Sequence, residues 1–240
     1  MFSWTTKPFL SRFNFLRKLP TLFNLSSSDS NNTYRTHIHL GKRSLLLLLT
    51  CSIILSFLVT FYPYIPTLNT DVHPIGVDVS DYEGWITNST DKDFFSAVAN
   101  FFSNASTSDR AISLLVLYLA KSATGFPTLT VVKFFPLILG PALVLAVYFF
   151  MRETSDLSYV HLAAAFLTVS SFHISVGMWA FFLSNWMALI EFYLLMGFYF
   201  SSLRKKSYLR MTVAVLLSIS MLFTHSWTWG MTIGIFIVYL

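Results

Sequence analysis

The stretch from His73 to Trp85 concentrates side chains that are able to do chemistry. It holds three carboxylates, one imidazole, two aromatic rings and two glycines. The carboxylates belong to Asp78, Asp81 and Glu83. A carboxylate of this kind acts as a general base toward an acceptor hydroxyl, or holds a divalent cation against a phosphate. The alternative is an acidic loop whose negative charge does no chemistry, and the residues alone leave both interpretations open.

An arginine and two histidines elsewhere in the chain are able to complete such a site. Arg110 directly precedes an apolar run, and a guanidinium there can grip a phosphate through two parallel hydrogen bonds. It is equally able to pair with Asp109 or with a lipid headgroup. His173 and His225 lie near the ends of apolar runs, where a histidine is more often an interfacial residue than a ligand. The sequence contains no metal-ligand spacing, P-loop, dinucleotide fingerprint or nucleophile elbow.

The elements that must position these residues are membrane helices. The chain has 240 residues, of which 55% are hydrophobic and only 11% are charged, and its mean hydropathy is +0.62. A soluble domain carries about 25% charged residues, so too few polar side chains remain here to cover a water-facing surface. The composition predicts an all-α, polytopic membrane protein whose main partner is the lipid bilayer. The net charge of +5 comes from basic residues beside apolar segments, which argues against nucleic acid as a partner.

Hydrophobic runs divide the chain into a short tail and a transmembrane domain. Residues 1–43 form a basic tail, predicted to be disordered and cytoplasmic, although its first 28 residues also resemble a mitochondrial presequence in composition. Residues 44–240 form the transmembrane domain, and residues 63–128 form a long outer loop within it. The predicted spans cover residues 44–62, 129–151, 157–176, 178–200, 209–224 and 229–240.

Basic residues decide the orientation of these spans. Two basic residues precede the first span, and the strongest internal basic cluster is Arg204–Lys206, so both places belong in the cytoplasm. The cluster reaches the cytoplasm only if the short run 111–120 does not cross, and this run is therefore predicted to be a juxtamembrane helix on the outer face. Residues 63–109 hold seven acids and one base, and they then lie outside the cytoplasm. The glycosylation sequons at Asn88 and Asn104 lie on that side.

Aromatic residues also mark the predicted membrane surface. Five apolar residues of the outer loop recur at helical spacing, which predicts a short amphipathic helix along the membrane. They are Phe94, Phe95, Val98, Phe101 and Phe102. Three tryptophans fall at the same predicted interface, as in an aromatic belt. They are Trp179, Trp227 and Trp229.

Asn185 and Glu191 lie inside the predicted span 178–200. A carboxyl group at membrane depth is costly and usually faces a cavity or a partner. Glu191 is therefore a candidate site residue, and a hydrogen bond between helices is an equal alternative. In a transporter, these two residues would line a midplane site, although the chain lacks a convincing internal repeat of the kind transporters show.

Several loose motifs in this chain occur together. They are Gly76-Val77-Asp78 followed by Asp81-Tyr82, Asp109-Arg110, residues 131–136, residues 146–153, residues 177–189 and residues 224–228. Their combination resembles the GT-C class of membrane glycosyltransferases, which includes protein O-mannosyltransferases, aminoarabinose transferases and oligosaccharyltransferase catalytic subunits. The resemblance covers about residues 44–240. The chain departs from its relatives in lacking adjacent acids and an Asp-Pro pair in this loop, and in having Ala111 where many have proline.

The resemblance implies a GT-C-like helical bundle that transfers a sugar from a polyprenyl-phosphate carrier to a glycan, lipid or protein acceptor outside the cytoplasm. In the family the first outer loop supplies an essential aspartate, and that catalytic role maps onto Asp78, with Asp81 next. The residues expected to bind substrate are Glu83, Arg110, His173, His225 and Trp227. No metal ligand or resident cofactor is predicted, and a divalent cation at the phosphate is left open.

Two other functions stay open from the sequence. One is a multi-span transporter that works through Glu191, and the other is a non-catalytic membrane subunit. Because the chain ends inside an apolar run at Leu240, we expect it to be the N-terminal part of a longer enzyme and to be incomplete on its own.

Overall fold

The computed structural model describes residues 42–239, and every regular element in that range is helical. The predicted all-helical class is therefore confirmed for this part of the chain. Almost all of the predicted basic tail lies outside the described residues. The helices are α1 (Lys42–Phe61), α2 (Val79–Thr90), α3 (Phe94–Ser103), α4 (Ala111–Thr124), α5 (Thr128–Phe134), α6 (Pro136–Thr154), α7 (Ser158–Val169), α8 (Phe172–Ser175), α9 (Gly177–Ala180), α10 (Leu183–Lys205), α11 (Tyr208–Thr224) and α12 (Ser226–Tyr239). Short 3-10 turns cover Tyr62–Tyr64 and Ser108–Arg110.

Among the described residues, four helical segments are long and apolar enough to cross a membrane. They are Arg43–Tyr64, Thr128–Thr154, Ser158–Ala180 and Leu183–Lys205, with mean hydropathies of 2.5, 2.2, 1.4 and 1.4. A 22-residue helix rises about 33 Å, which matches the hydrocarbon thickness of a bilayer. The prediction of membrane-spanning helices is therefore confirmed at this level. Helices α11 and α12 are apolar but have only 17 and 14 residues, so their membrane crossing stays a prediction.

The boundaries of the third and fourth predicted spans differ from the sequence estimate. Helix α7 ends at Val169, and a turn at Ser170 and Ser171 separates it from the short helices α8 and α9. The Ser170 hydroxyl donates to the carbonyl of Leu167 at 3.1 Å, a local bond that competes with helical pairing. Helix α10 begins at Leu183 rather than at 178, because Phe181 has a left-handed φ of +61° that interrupts the helix.

Two helices of the predicted outer loop pack on the protein. Helix α4 contains the run 111–120 and has 14 residues, about 21 Å, which is shorter than the hydrocarbon core. Helix α3 was expected to lay its aromatic face on the membrane. Instead Phe101 is completely buried, and Phe102 packs on the ring of Phe223 with centroids 5.3 Å apart. Only the first turn keeps exposed rings, with Phe95 80% exposed.

Close contacts fix the relative directions of the long helices. A Cβ placed on Gly140, near the beginning of α6, would lie 3.1 Å from the methyl group of Thr60 near the end of α1, so these helices run antiparallel. Glu153 in the last turn of α6 contacts Ser201 and Arg204 near the end of α10, so α6 and α10 run parallel. The end of the bundle around Glu153 is called the basic end. The opposite end, where α1 ends and α10 begins, is called the loop end.

Candidate functional site

A polar cavity of about 280 Å³ lies at the loop end. Its lining comes from the outer loop, the first turn of α10 and the junction of α11 and α12. The lining residues are Asp78, Arg110, Phe182, Ser184, Asn185 and His225. Three of the residues singled out in the sequence, Asp78, Arg110 and His225, therefore face one space although they lie far apart in the chain.

The loop that carries Asp78 is seated on Phe181. Gly76 has a φ of +115°, and a Cβ built there would lie only 2.3 Å from the Cβ of Phe181. Only glycine adopts that conformation without strain and leaves room for the ring. The amide of Asn69 braces the same loop, because its Nδ2 donates to the carbonyl of His73 and its Oδ1 accepts the His73 N–H. The backbone two residues before Asp78 is thus held against the core.

Lys133 fastens the loop from the side of α5. Its ammonium group donates to the carbonyl of Val72 and lies 5.3 Å from the ring centroids of Tyr64 and Phe134. The side chain is 9% exposed, so this lysine is satisfied within the protein. A cation over aromatic faces gains further electrostatic stabilisation where water is excluded.

Asp78 stands at the N-cap position of α2, but its carboxylate does not cap the helix. Burial raises the pKa of Asp78, the charge of Arg110 opposes that rise, and the charge of Asp81 adds to it. A carboxylate with an elevated pKa is a stronger proton acceptor than an ordinary aspartate. Asp78 therefore has the environment of a general base, and its carboxylate is not used to cap α2.

Arg110 is held in place on two sides. Its Nε and Nη2 donate to the two oxygens of Asp109 at 3.2 and 3.3 Å, and its guanidinium lies 5.1 Å from the centroid of Trp85. Burial alone would lower the pKa of Arg110, but the hydrogen bonds of Asp109 and the nearby negative charges raise it overall. The group is a permanent cation at the cavity, and its side chain keeps 26% exposure.

Tyr82 joins the outer loop to the beginning of α10. Its ring packs edge-on against Trp85 at 5.6 Å and against Phe181 at 6.1 Å. Its hydroxyl accepts the N–H of Ser184 at 3.1 Å, one of the helix N–H groups that lack an intrahelical partner. Burial raises the pKa of Tyr82, so the hydroxyl stays protonated and neutral at pH 7.

His225 occupies the junction of α11 and α12 and is fixed by Thr228. The Thr228 N–H donates to His225 Nδ1 at 3.3 Å, and the Thr228 hydroxyl lies 2.9 Å from the same nitrogen. That hydroxyl also lies 3.1 Å from Asn185 Oδ1 on α10. Burial, followed by the charge of Arg110, lowers the pKa of His225. The ring is neutral at pH 7, and this hydrogen-bond network assigns its proton to Nε2.

The other predicted site residues do not line this cavity. Asp81 is exposed in the first turn of α2 and Glu83 is half-buried on the same helix. His173 lies on α8 and is half-buried. Trp227 is 75% exposed in the first turn of α12. Of these four, Asp81 influences the cavity through its charge on Asp78.

The transporter alternative would put Asn185 and Glu191 in one midplane site, whereas in the structure Asn185 lines the cavity and Glu191 does not. Because α10 begins at Leu183, Asn185 lies in its first turn and lines the cavity. Glu191 lies six residues further along, a rise of about 9 Å, where it accepts a hydrogen bond from Ser220 at 2.5 Å. The adjacent polar residues 184 and 185 inside an apolar run were the available signal for this part of the cavity.

The cavity combines a half-buried carboxylate, a fixed cation, a carboxamide and a neutral imidazole. This set can accept a proton from a hydroxyl and bind an anionic oxygen beside it. Within residues 42–239, no group of three or more His, Cys, Asp or Glu side chains could hold a metal ion. Comparisons with protein-family models, with curated proteins and with solved structures found no match for this chain.

Proposed function

We propose that the chain is a membrane glycosyltransferase of the GT-C type. It transfers a sugar from a polyprenyl-phosphate carrier to a glycan, lipid or protein acceptor. The observation that carries this proposal is the convergence of Asp78, Arg110 and His225 on one cavity at the end of the membrane-spanning helices. A lipid-linked donor approaches from the bilayer, so a polar site at the end of apolar helices suits it.

In this proposal Asp78 is the general base. Its carboxylate takes the proton of the acceptor hydroxyl while the acceptor oxygen bonds to the anomeric carbon of the donor sugar. The bond between that carbon and the carrier phosphate breaks, and the polyprenyl phosphate leaves with the bonding electron pair. A general base with an elevated pKa contributes typically about 10²- to 10⁴-fold to such a step.

Arg110 and His225 stabilise the departing phosphate. The Arg110 guanidinium is already oriented by Asp109 and Trp85, so little side-chain freedom is lost when it binds an anion. The Nε2–H of neutral His225 and the amide of Asn185 supply further hydrogen-bond donors. Donors that are positioned in advance stabilise developing charge more effectively than mobile ones.

The basic end faces the cytoplasm in this proposal, and the cavity faces the other side. At the basic end, Arg152, Arg204 and Lys205 surround Glu153. This placement agrees with the bias of basic residues toward the cytoplasm. The N-terminal tail then begins in the cytoplasm, and the acidic loop lies outside it. Transfer accordingly takes place on the extracytoplasmic face.

The decisive experiment compares Asp78→Asn with Asp81→Asn. Both substitutions remove one charge from the same turn, but only Asp78 lines the cavity. Membranes that contain each variant are given a panel of polyprenyl-phosphate-linked hexoses, and sugar transfer is measured. We expect Asp78→Asn to lower the rate about 10²- to 10⁴-fold, whereas Asp81→Asn keeps most of it.

Membrane insertion of both variants is checked by protease accessibility of the loop, so that misfolding is not mistaken for lost chemistry. Transfer by Asp78→Asn at the unmodified rate would contradict the proposal. An equal loss in both variants would also contradict it, because the exposed position of Asp81 offers no contact with the reacting groups.

One observation favours a second candidate, a transporter. The Oε2 atom of Glu191 is buried and has no hydrogen-bond partner among the described residues. A carboxylate at membrane depth with an unused oxygen is able to bind a cation or a proton. Substrate uptake that depends on Glu191 and tolerates Asp78→Asn would support this candidate over the glycosyltransferase.

A further inference from the structure

Four basic side chains converge on a single buried carboxylate at the basic end. Glu153 is only 4% exposed, and its Oε2 lies 3.1 Å from Arg204, 3.3 Å from Lys205 and 3.6 Å from Arg210. Its Oε1 lies 3.3 Å from Arg152. These residues come from α6, α10 and α11, so the cluster exists only in the folded bundle.

The carboxylate neutralises only part of this charge. Four cations surround one anion, which leaves a net charge of +3 in the cluster. Asp156 approaches Arg204 at 3.8 Å, but it is fully exposed, so water weakens its effect on the cluster. The hydroxyl of Ser201 donates to Glu153 at 2.6 Å and also accepts from Arg210. The inner faces of the cations are therefore fixed, while their outer faces have donors to spare.

The cations are accessible to a ligand outside the protein. Arg152 is 52% exposed, Arg204 and Lys205 are each 45% exposed, and Arg210 is 33% exposed. A guanidinium has five N–H donors in a planar fork, and the contacts with Glu153 use only one or two of them. The fork geometry matches the paired oxygens of a phosphate.

The surroundings of the cluster match a membrane surface. It lies where two apolar, membrane-spanning segments end, at Thr154 and Lys205. The next helix begins with Tyr208 and Leu209, which are 91% and 75% exposed. An aromatic and an aliphatic side chain beside basic groups are typical of the zone between hydrocarbon and headgroups. A ligand of this cluster thus approaches along the bilayer surface.

We propose that this cluster binds the phosphate headgroup of an anionic phospholipid. Charge complementarity favours an anion, since one carboxylate cannot balance four cations. The position at the ends of spanning helices favours a lipid over a freely diffusing molecule. Basic pockets between membrane helices on the cytoplasmic side bind anionic headgroups by the same physics. This site lies at the opposite end from the cavity, so it does not depend on the glycosyltransferase proposal.

The test uses the purified full chain in nanodiscs and measures bound lipid by native mass spectrometry. The probes are phosphatidylglycerol and phosphatidylcholine with identical acyl chains. We expect preferential retention of phosphatidylglycerol. The double variant Arg204→Gln with Arg210→Gln should weaken that preference about 30-fold, from the strength that two basic residues have near an anionic surface.

Two further variants separate charge from folding and from general electrostatics. Arg204→Lys with Arg210→Lys keeps the charges, so it should retain most of the binding even though the forks are lost. Lys92→Gln with Lys121→Gln removes the same charge from the outer loop, so it should leave the preference unchanged. Circular dichroism of each variant checks that the helices are intact.

Three results would overturn the inference. One is equal retention of the anionic and zwitterionic lipids by the unmodified chain. Another is an equal loss of preference in the Lys92 and Lys121 control. The third is displacement of the lipid by inorganic phosphate at millimolar concentration, which would show that the cluster recognises a free phosphate rather than a headgroup in the membrane.

Discussion

The packing of the loop that carries Asp78 against Phe181 can be tested by adding one methyl group, in Gly76→Ala. The backbone at this position has a φ of +115°, and the new Cβ would lie 2.3 Å from the Cβ of Phe181. Left-handed backbone costs about 1–2 kcal/mol for an L-residue, and inserting a carbon into a packed site costs about 1–3 kcal/mol. Phe181 is 1% exposed and has a left-handed backbone itself, so it cannot easily move away.

The two costs together predict that Gly76→Ala lowers the free energy of unfolding by about 2–5 kcal/mol. Gly84→Ala provides the matched control, because a Cβ there meets nothing within 4 Å and the residue lies inside α2. Alanine is favoured over glycine in a helix by about 0.8–1.0 kcal/mol. The two alanine variants should therefore shift stability in opposite directions.

The assay is thermal unfolding of each purified variant in the same detergent, monitored by circular dichroism. Sugar transfer is measured in parallel, since a displaced loop carries Asp78 out of the cavity. A melting temperature for Gly76→Ala equal to that of the unmodified chain would refute the described seat of the loop. So would an equal destabilisation by Gly84→Ala, because that result would point to a general sensitivity of the loop to added volume.

Three further predictions concern the cavity and its sidedness. Because burial raises the pKa of Asp78, the transfer rate should fall as the pH drops through a value above the ordinary aspartate range. Asp81→Asn removes a negative charge that adds to this rise, so it should move the acid side of the pH–rate profile to lower pH. An unmoved profile would show that the Asp81 charge is screened. Thr228→Val removes the hydroxyl next to His225 and should lower the transfer rate about 10-fold, from roughly 1.4 kcal/mol of hydrogen bonding, whereas Thr228→Ser should stay near the unmodified rate. Asn104 is exposed and lies directly after α3. In a host that N-glycosylates proteins, Asn104→Gln should therefore remove a glycan that an endoglycosidase cleaves from the unmodified chain. Identical electrophoretic mobility of the variant and the unmodified chain would argue against an extracytoplasmic loop.

The apolar runs could be predicted from sequence because lipid solvation constrains them strongly. A helix in hydrocarbon must satisfy its backbone polar groups internally and expose apolar side chains, and both demands are visible in composition. The positions of the helix ends were harder to predict from the sequence. The interruption at Phe181 lies where the loop around Gly76 packs against it, and no local sequence pattern reports a contact of that kind.

The residues that line the cavity could be predicted from the sequence only in part, for a related reason. Residue types identified the acidic segment 73–85 and Arg110 as candidates, and the family resemblance selected Asp78 among the three acids of that segment. Asn185 was not recognised as part of the cavity, because the beginning of α10 was placed five residues too early. The role of Thr228 depends on its contacts with two other elements, which spacing along the chain does not encode.

The amphipathic pattern of α3 illustrates a different limit. Hydrophobic periodicity shows that one face of a helix avoids water, but it does not distinguish lipid from protein as the cover. Phe101 and Phe102 turn toward α4 and α11, so most of the apolar face is used for packing. The pattern correctly predicted a helix, but only the tertiary structure shows that its apolar face packs on α4 and α11.

The hydrogen bond from Ser184 to Tyr82 has a consequence for biogenesis. These two residues are 102 positions apart, and ribosomes add about 5–20 residues per second. The loop bearing Tyr82 therefore emerges about 5–20 s before the helix that covers it. During that interval the tyrosine lacks its partner, and the acidic residues have no cavity to line. The cavity is consequently incomplete until the later helices have been inserted, so a ligand that needs all of its lining residues binds only after that point.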